Sequence, residues 1–408
     1  MKQLRDYQLD IANRGSDILR KLSLLYLAME VRTGKTATSM KIAEMYGAKK
    51  VLFLTRKKAI SSILEDYNEF GYQFEIVVTN HESLHKLQDA DSFDVIIFDE
   101  AHKAAGLPKP GQLAKRMRER FFLKPIIMLS GTMSPESFSQ VYHQFWISSR
   151  SPWVHYRNFY KWAHDYVNIV QRKINSLTIN DYSAGIEAKI MHDIQPYMIT
   201  HTQEQSGFKS KINEKVLYVK MNPVTYKICD KLMKDLVFEG SSDVILADTP
   251  AKLMQKLMQL YSGTCKLESG LAVMIDKTKA EFIKEYFAGK KIGIFYCFKK
   301  ELDLLLSVFG DEITTDLHEF QTTDKHFAGQ VVSSREGISL KEADCLVFMN
   351  IQHSAVSYLQ AIDRMTTMDR LENNVYWIFA EGGIEEKIYK VVKSKKKYTV
   401  NIFKKDYK

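Results

Sequence analysis

No apolar run in this 408-residue chain approaches the roughly 18 to 20 residues that a membrane-spanning helix requires. The opening MKQLRDYQLD has none of the apolar core of a secretory signal. Cysteine is scarce as well: Cys229, Cys265, Cys297 and Cys345 lie far apart, with no Cys-x-x-Cys spacing. That scarcity argues against a zinc site or a disulfide framework and suits a reducing compartment, so the expected location is cytoplasmic. No internal repeat is visible. Acidic residues are outnumbered, 49 against 58 Lys and Arg, which leaves a net charge of +9 and a pI near 9.0. The excess points toward a polyanionic partner, although a lysine-rich surface accounts for it equally well. What the chain does have is 45% hydrophobic residues, enough for two cores of ordinary domain size.

The first third alternates short apolar runs with amphipathic segments. LLYLA (Leu24–Ala28), KVLFLT (Lys50–Thr55), FEIVVT (Phe74–Thr79), FDVIIF (Phe93–Phe98) and PIIMLS (Pro125–Ser130) are expected to be strands buried on both faces. Helical segments such as TATSMKIAEMY and SSILEDYNEF separate them, a pattern that calls for a parallel sheet with helices on both sides. Residues 151–205 are aromatic-rich and polar, with helical periodicity and no convincing buried strand. They are expected to form a helical linker or insertion. Whether Trp153, Tyr156, Phe159, Tyr160 and Trp162 pack there or stack on bases is open from the sequence. Alternation resumes in 206–408 with VLYVKM, KIGIFYCF, GQVVSS, DCLVFMN and NVYWIFA, a second sheet. The terminal KSKKKYTVNIFKKDYK is strongly basic, either solvated or touching nucleic-acid phosphate.

Two short motifs carry chemistry. In MEVRTGKTATSM (Met29–Met40), a Gly-Lys-Thr ends a loop and opens a helix, which presents backbone N–H groups and one ammonium to a triphosphate. Gly34 lets the backbone approach, Lys35 neutralises phosphate, and the Thr36 hydroxyl suits magnesium. Arg32 and Thr33 complete the loop. In FDEAH (Phe98–His102), an apolar run delivers Asp99 and Glu100 to a strand's carboxyl end, where open α/β sheets bind ligands. Asp99 would hold the metal and Glu100 would orient and deprotonate a water.

With these motifs in place, the chain resembles the superfamily 2 helicases, in particular their Swi/Snf-like branch and a compact phage- or bacterial-type member with a DEAH box. The resemblance implies two RecA-like parallel-sheet lobes in tandem, 1–150 and 206–408, joined by the 151–205 segment. LRDYQ (Leu4–Gln8) resembles the motif whose glutamine, here Gln8, reads adenine, and His102 corresponds to the residue that senses the nucleotide. FLTRKKAISSILEDY, VVTNHESL and LSGTMSP resemble the motifs that face a nucleic-acid backbone, which implies contacts from Thr55, Arg56, Asn80, Ser130 and Thr132. SSREGISLKEAD resembles the fifth motif, with Ser333 and Ser334 toward phosphates and Gly337 toward the nucleotide. QAIDRMTTMDR resembles the sixth, with Gln360 at the nucleotide and Arg364 as the arginine that neutralises the transferring phosphoryl group. Thr367 stands where the family has a second arginine, and both Met29 and Arg32 stand where phosphate loops carry glycine.

The implied activity is ATP hydrolysis, with Mg2+, coupled to movement on duplex or branched DNA in replication, recombination or repair. The protein is expected to be a monomer in the free state. The alternatives are a strand-separating DNA helicase, an RNA helicase, and an ATP-gated clamp that does not turn over.

Overall fold

Strand β1 (Leu24–Met29) sends alternate side chains into two separate cores. Leu24 and Tyr26 face one, while Leu25, Leu27 and Met29 face the other. The same division runs through β2 (Lys50–Thr55), β4 (Val95–Asp99) and β5 (Ile126–Leu129), because side chains alternate across a strand. With β3 (Glu75–Asn80), a hairpin of β6 (Val170–Ile174) and β7 (Leu177–Asp181), and β8 (Met198–His201), these are the strands of the first of two compact units, Met1–Gly207 and Phe208–Lys408. The computed structural model describes residues 2–131, 133–134, 137–174, 177–209, 211–240, 243–331, 339–351, 353 and 371–394.

The first unit's sheet runs β3-β2-β4-β5-β1-β8 and every pairing is parallel. One face is covered by α1 (Asp6–Leu22), α2 (Lys35–Tyr46) and α3 (Ile60–Phe70), which contribute Ile11, Leu19, Met40, Ile42 and Ile63 to the core. Helices 112–121, 141–146, 159–166 and 187–194 supply the other core. Each such side chain contributes about 1.5–3 kcal/mol by leaving water. One expectation needs correction: β3 is half-exposed along its length, not buried on both faces, because it is the sheet's edge.

The aromatic segment also departs from expectation. It holds helices 159–166 and 187–194, but also the β6–β7 hairpin and a true sheet strand, β8, which pairs with β1 from Tyr26–Met198 to Met29–His201. Four residues are too few for alternation to register, and β8 is a strand because the edge of β1 offers it unpaired backbone groups. Trp153, Phe159 and Trp162 are core residues of the first unit. Trp162 stacks on Tyr166 with ring centroids 5.1 Å apart, and Trp153 Nε1 and the Tyr166 hydroxyl both donate to Asp193 Oδ2, at 3.0 and 2.5 Å.

Beside this aromatic core, His143 Nδ1 donates to the Gly106 carbonyl at 2.7 Å and its ring stacks on Phe159. Burial lowers its pKa from 6.5 to about 4, so the neutral ring is the native form. Its contribution to stability is complete above pH 6.5 and is lost as the pH falls toward 4. Chemical denaturation between pH 6.5 and about 5 is expected to show an average slope of about 1 kcal/mol per pH unit from this residue, absent in His143→Asn.

The second unit repeats the parallel design. Its sheet consists of β9 (Lys211–Val219), β14 (Ile292–Tyr296), β15 (Ile313–Thr314), β16 (His326–Gln330), β17 (Cys345–Phe348) and β18 (Glu372–Ala380), in the order β15-β16-β14-β17-β18-β9 and parallel throughout. Two small hairpins, β10–β11 (Val237–Glu239, Val244–Leu246) and β12–β13 (Thr264–Lys266, Ala272–Met274), flank it. All four cysteines are buried and free. Polar groups fix the carboxyl ends of its central strands. The buried Glu301 carboxylate accepts from the Cys297 and Phe298 N–H groups after β14 (2.7 and 3.0 Å) and from the Asn350 amide after β17 (2.7 Å). Deeper still, Lys279 and Glu385 form an ion pair at 2.8 Å with both side chains wholly inaccessible. The two units are thus α/β lobes of the RecA-like kind, each an all-parallel sheet packed by helices.

Candidate active site

The turn between β1 and α2 takes the backbone into the left-handed region twice within three residues. Gly34, the N-cap of α2, is left-handed (φ 80°), and so is Arg32 (φ 63°). A side chain at Gly34 would be strained and would displace Gln8, because a Cβ there would lie 1.9 Å from Gln8 Nε2. Gln8 is itself fixed at the start of α1, where its Oε1 accepts the Arg5 N–H at 2.8 Å. Tyr7 adds a hydroxyl bond to the Thr33 carbonyl at 3.1 Å. Thr33 is buried and donates to Glu30 O. Lys35 Nζ donates to the carbonyls of Met29 and Glu30, each at 2.9 Å, bonds that an arriving phosphate would replace. A pocket of about 350 Å³ opens here, lined among others by Arg5, Tyr7, Gln8, Arg32, Lys35 and Thr36.

Arg32 therefore occupies the backbone conformation for which phosphate loops use glycine. Holding a non-glycine residue there costs about 1–2 kcal/mol. Arg32→Gly is expected to raise the unfolding free energy by up to about 1 kcal/mol in a denaturant titration, the strain relief exceeding the added freedom of the unfolded chain.

The acidic pair sits one strand away, since β5 separates β1 from β4. Asp99 is held at every polar atom of note. Thr55 Oγ1 donates to Oδ2 at 2.8 Å, the Glu100 N–H donates to Oδ1 at 2.9 Å, and His81 Nε2 lies 2.9 Å from the backbone carbonyl. Burial, with the charge of Glu100, pushes the Asp99 carboxyl above the usual range, and Lys35 pulls it back. Glu100 is left-handed as well (φ 53°) and opens the short 3-10 helix Ala101–Ala104. His102 Nδ1 is 3.2 Å from Glu100 Oε2 and 3.0 Å from Ser130 Oγ, so one N–H is shared between carboxylate and hydroxyl.

These placements change two expectations, those for Thr55 and Ser130. Thr55 is wholly buried and committed to Asp99, so it braces the acidic pair and presents nothing to a track. Ser130 is likewise buried and bonded to His102. Asn80 caps the 3-10 helix His81–Lys86, its Oδ1 accepting from the Ser83 N–H at 2.8 Å. Arg56 follows β2, close enough for its charge to lower the pKa of both His81 and Lys103. Thr132, Ser333, Ser334, Gly337, Gln360 and Arg364 lie outside the described residues. His81 escaped the sequence reading altogether, because its partner is a carbonyl and no side-chain pattern reveals that.

A magnesium ion fits the donor set. The Thr36 hydroxyl has no hydrogen-bond partner among the described residues, and Asp99 is a half-buried carboxylate with lone pairs left on both oxygens. Hard oxygen ligands of this kind suit Mg2+, which keeps several waters of its own.

No protein-family model matches the chain, and no curated protein matches it. Among solved structures, it is similar to the Sulfolobus solfataricus SWI2/SNF2 ATPase core in complex with dsDNA, at 16% identity and a TM-score of 0.43, covering 99% of this chain and 92% of that one.

Proposed function

We propose that this protein hydrolyses ATP, with Mg2+, to move along DNA. The observation that carries the reading is local: a left-handed phosphate loop with its lysine and a half-buried, braced Asp-Glu pair stand at strand ends with a single strand between them. The loop N–H groups and Lys35 would bind the β- and γ-phosphates. Gln8, pinned beside Gly34, would meet the adenine. Thr36 and Asp99 would hold the metal, which when bound neutralises the phosphate oxygens. Glu100 would orient the attacking water and accept its proton, and His102 would couple Glu100 to Ser130. From its motif, Arg364 is assigned to the phosphoryl charge in the transition state, with Gln360 and Gly337 near the nucleotide.

DNA is the proposed track, gripped mainly through phosphate by Arg56 and by Thr132, Ser333 and Ser334, in keeping with the charge of +9. The protein is proposed to act as a cytoplasmic monomer; among the described residues no helix is long and apolar enough to cross a membrane.

The test is steady-state ATP hydrolysis titrated with single-stranded, duplex and forked DNA and with RNA, at two salt concentrations. Duplex or forked DNA should stimulate most, and added salt should weaken the stimulation steeply. Hydrolysis indifferent to every nucleic acid, or stimulated by RNA alone, would overturn the reading. Displacement of a third strand from duplex DNA without unwinding distinguishes translocation from strand separation.

A further inference from the structure

The backbone between Asp99 and Glu100 is the hinge on which the acidic pair depends. Glu100 holds a left-handed conformation that only surrounding bonds can enforce, and the orientation of its carboxylate follows from the peptide plane that precedes it. That plane is held at its N–H by Asp99 Oδ1, at 2.9 Å, and at its Asp99 carbonyl by the donor His81 Nε2, at 2.9 Å.

The protonation of His81 follows from its other contact. Lys103 Nζ lies 3.2 Å from His81 Nδ1. An ammonium can only donate, so Nδ1 accepts and the ring's single hydrogen is on Nε2, aimed at Asp99. Lys103 is bound back to the same turn, its N–H donating to the Glu100 carbonyl at 2.9 Å. The circuit therefore runs from Glu100 through Lys103 and His81 to the Asp99 carbonyl. The imidazole is buried and meets Phe98 edge-on, centroids 5.6 Å apart.

We propose that His81, held in one tautomer by Lys103, is a positioning residue for the hydrolytic step, fixing the Asp99–Glu100 peptide so that Glu100 meets the attacking water. The inference rests on the proposed ATP hydrolysis and names a residue that none of the motifs assign. Proton transfer from water to a carboxylate needs alignment within hydrogen-bond reach, and a peptide free to rotate loses it.

Two substitutions separate positioning from packing. His81→Phe keeps an aromatic ring against Phe98 and removes the donor, whereas His81→Gln supplies an amide N–H in place of Nε2–H and gives up the ring. ATP hydrolysis is measured at saturating DNA, with KM for ATP and thermal unfolding alongside. His81→Phe should lose about tenfold or more in kcat with KM for ATP little changed. His81→Gln should recover most of the rate despite melting at a lower temperature. Full kcat in His81→Phe, or equal impairment of both variants, would overturn the proposal while leaving ATP hydrolysis intact as a function. A wild-type protein that hydrolyses no ATP overturns both together. Should His81→Phe fail to fold, Lys103→Met decides: it leaves the ring and frees the tautomer, and kcat must fall at unchanged KM for the proposal to stand.

Discussion

Glu100→Gln should reduce kcat for ATP hydrolysis by about 10²- to 10⁴-fold while leaving ATP affinity almost unchanged. The change is isosteric, so the left-handed turn and the contact with His102 Nδ1, 3.2 Å from Glu100 Oε2, can both persist. What the amide cannot do is accept a proton. Asp99 and the phosphate loop are untouched, and binding depends on those. Lys35→Ala supplies the contrast, because it removes the ammonium from the phosphate site and should weaken ATP binding itself. A nucleotide-binding titration beside single-turnover hydrolysis checks the division. Activity retained in Glu100→Gln would mean that another group accepts the proton and that the carboxylate serves only His102.

The second large effect concerns stability. Lys279→Met is expected to destabilise the second unit by about 3–5 kcal/mol, read from denaturant unfolding. Lys279 and Glu385 are both 0% exposed, so removing the ammonium leaves a carboxylate with neither water nor counter-charge. Glu385 has little else: the Ala380 N–H reaches Oε1 at 3.4 Å, and Oε2 has no hydrogen-bond partner among the described residues. The double variant Lys279→Met/Glu385→Leu should regain most of the loss, since an apolar pair of similar volume avoids the desolvation penalty altogether. A double variant no more stable than the single one would show that the pair is worth more than its desolvation.

How much of this was legible in the chain depended on range. The phosphate loop and the acidic pair declare themselves because their chemistry is local, a handful of consecutive residues between an apolar run and a helix. Doubly buried strands such as Val95–Asp99 are visible for the same reason. Thr55 was not legible. Its partner Asp99 is 44 residues away, and only the pairing of β2 with β4 brings them together, so motif resemblance placed the hydroxyl on a surface it does not reach. Met198–His201 could not announce itself either, because a four-residue strand owes its existence to the edge it joins. The aromatic middle was ambiguous in kind: Trp153 and Trp162 have the same composition whether they stack on bases or fill a core, and only burial decides.

Strand β8 also orders events in time. Past His201 the chain stays on the phosphate loop: the Glu30 N–H donates to the His201 carbonyl at 2.9 Å, and the Gln203 side chain donates to Val31 O at 3.0 Å, across 172 residues of sequence. A ribosome adding roughly 5–20 residues per second takes on the order of ten to thirty seconds to cover that interval. Throughout it the loop exists but lacks its flank, and the β1 edge from Tyr26 to Met29 is open to other strands. A nascent or truncated chain ending at residue 150 would carry every residue of the phosphate loop and the acidic pair, yet remain an unfinished and adhesive sheet.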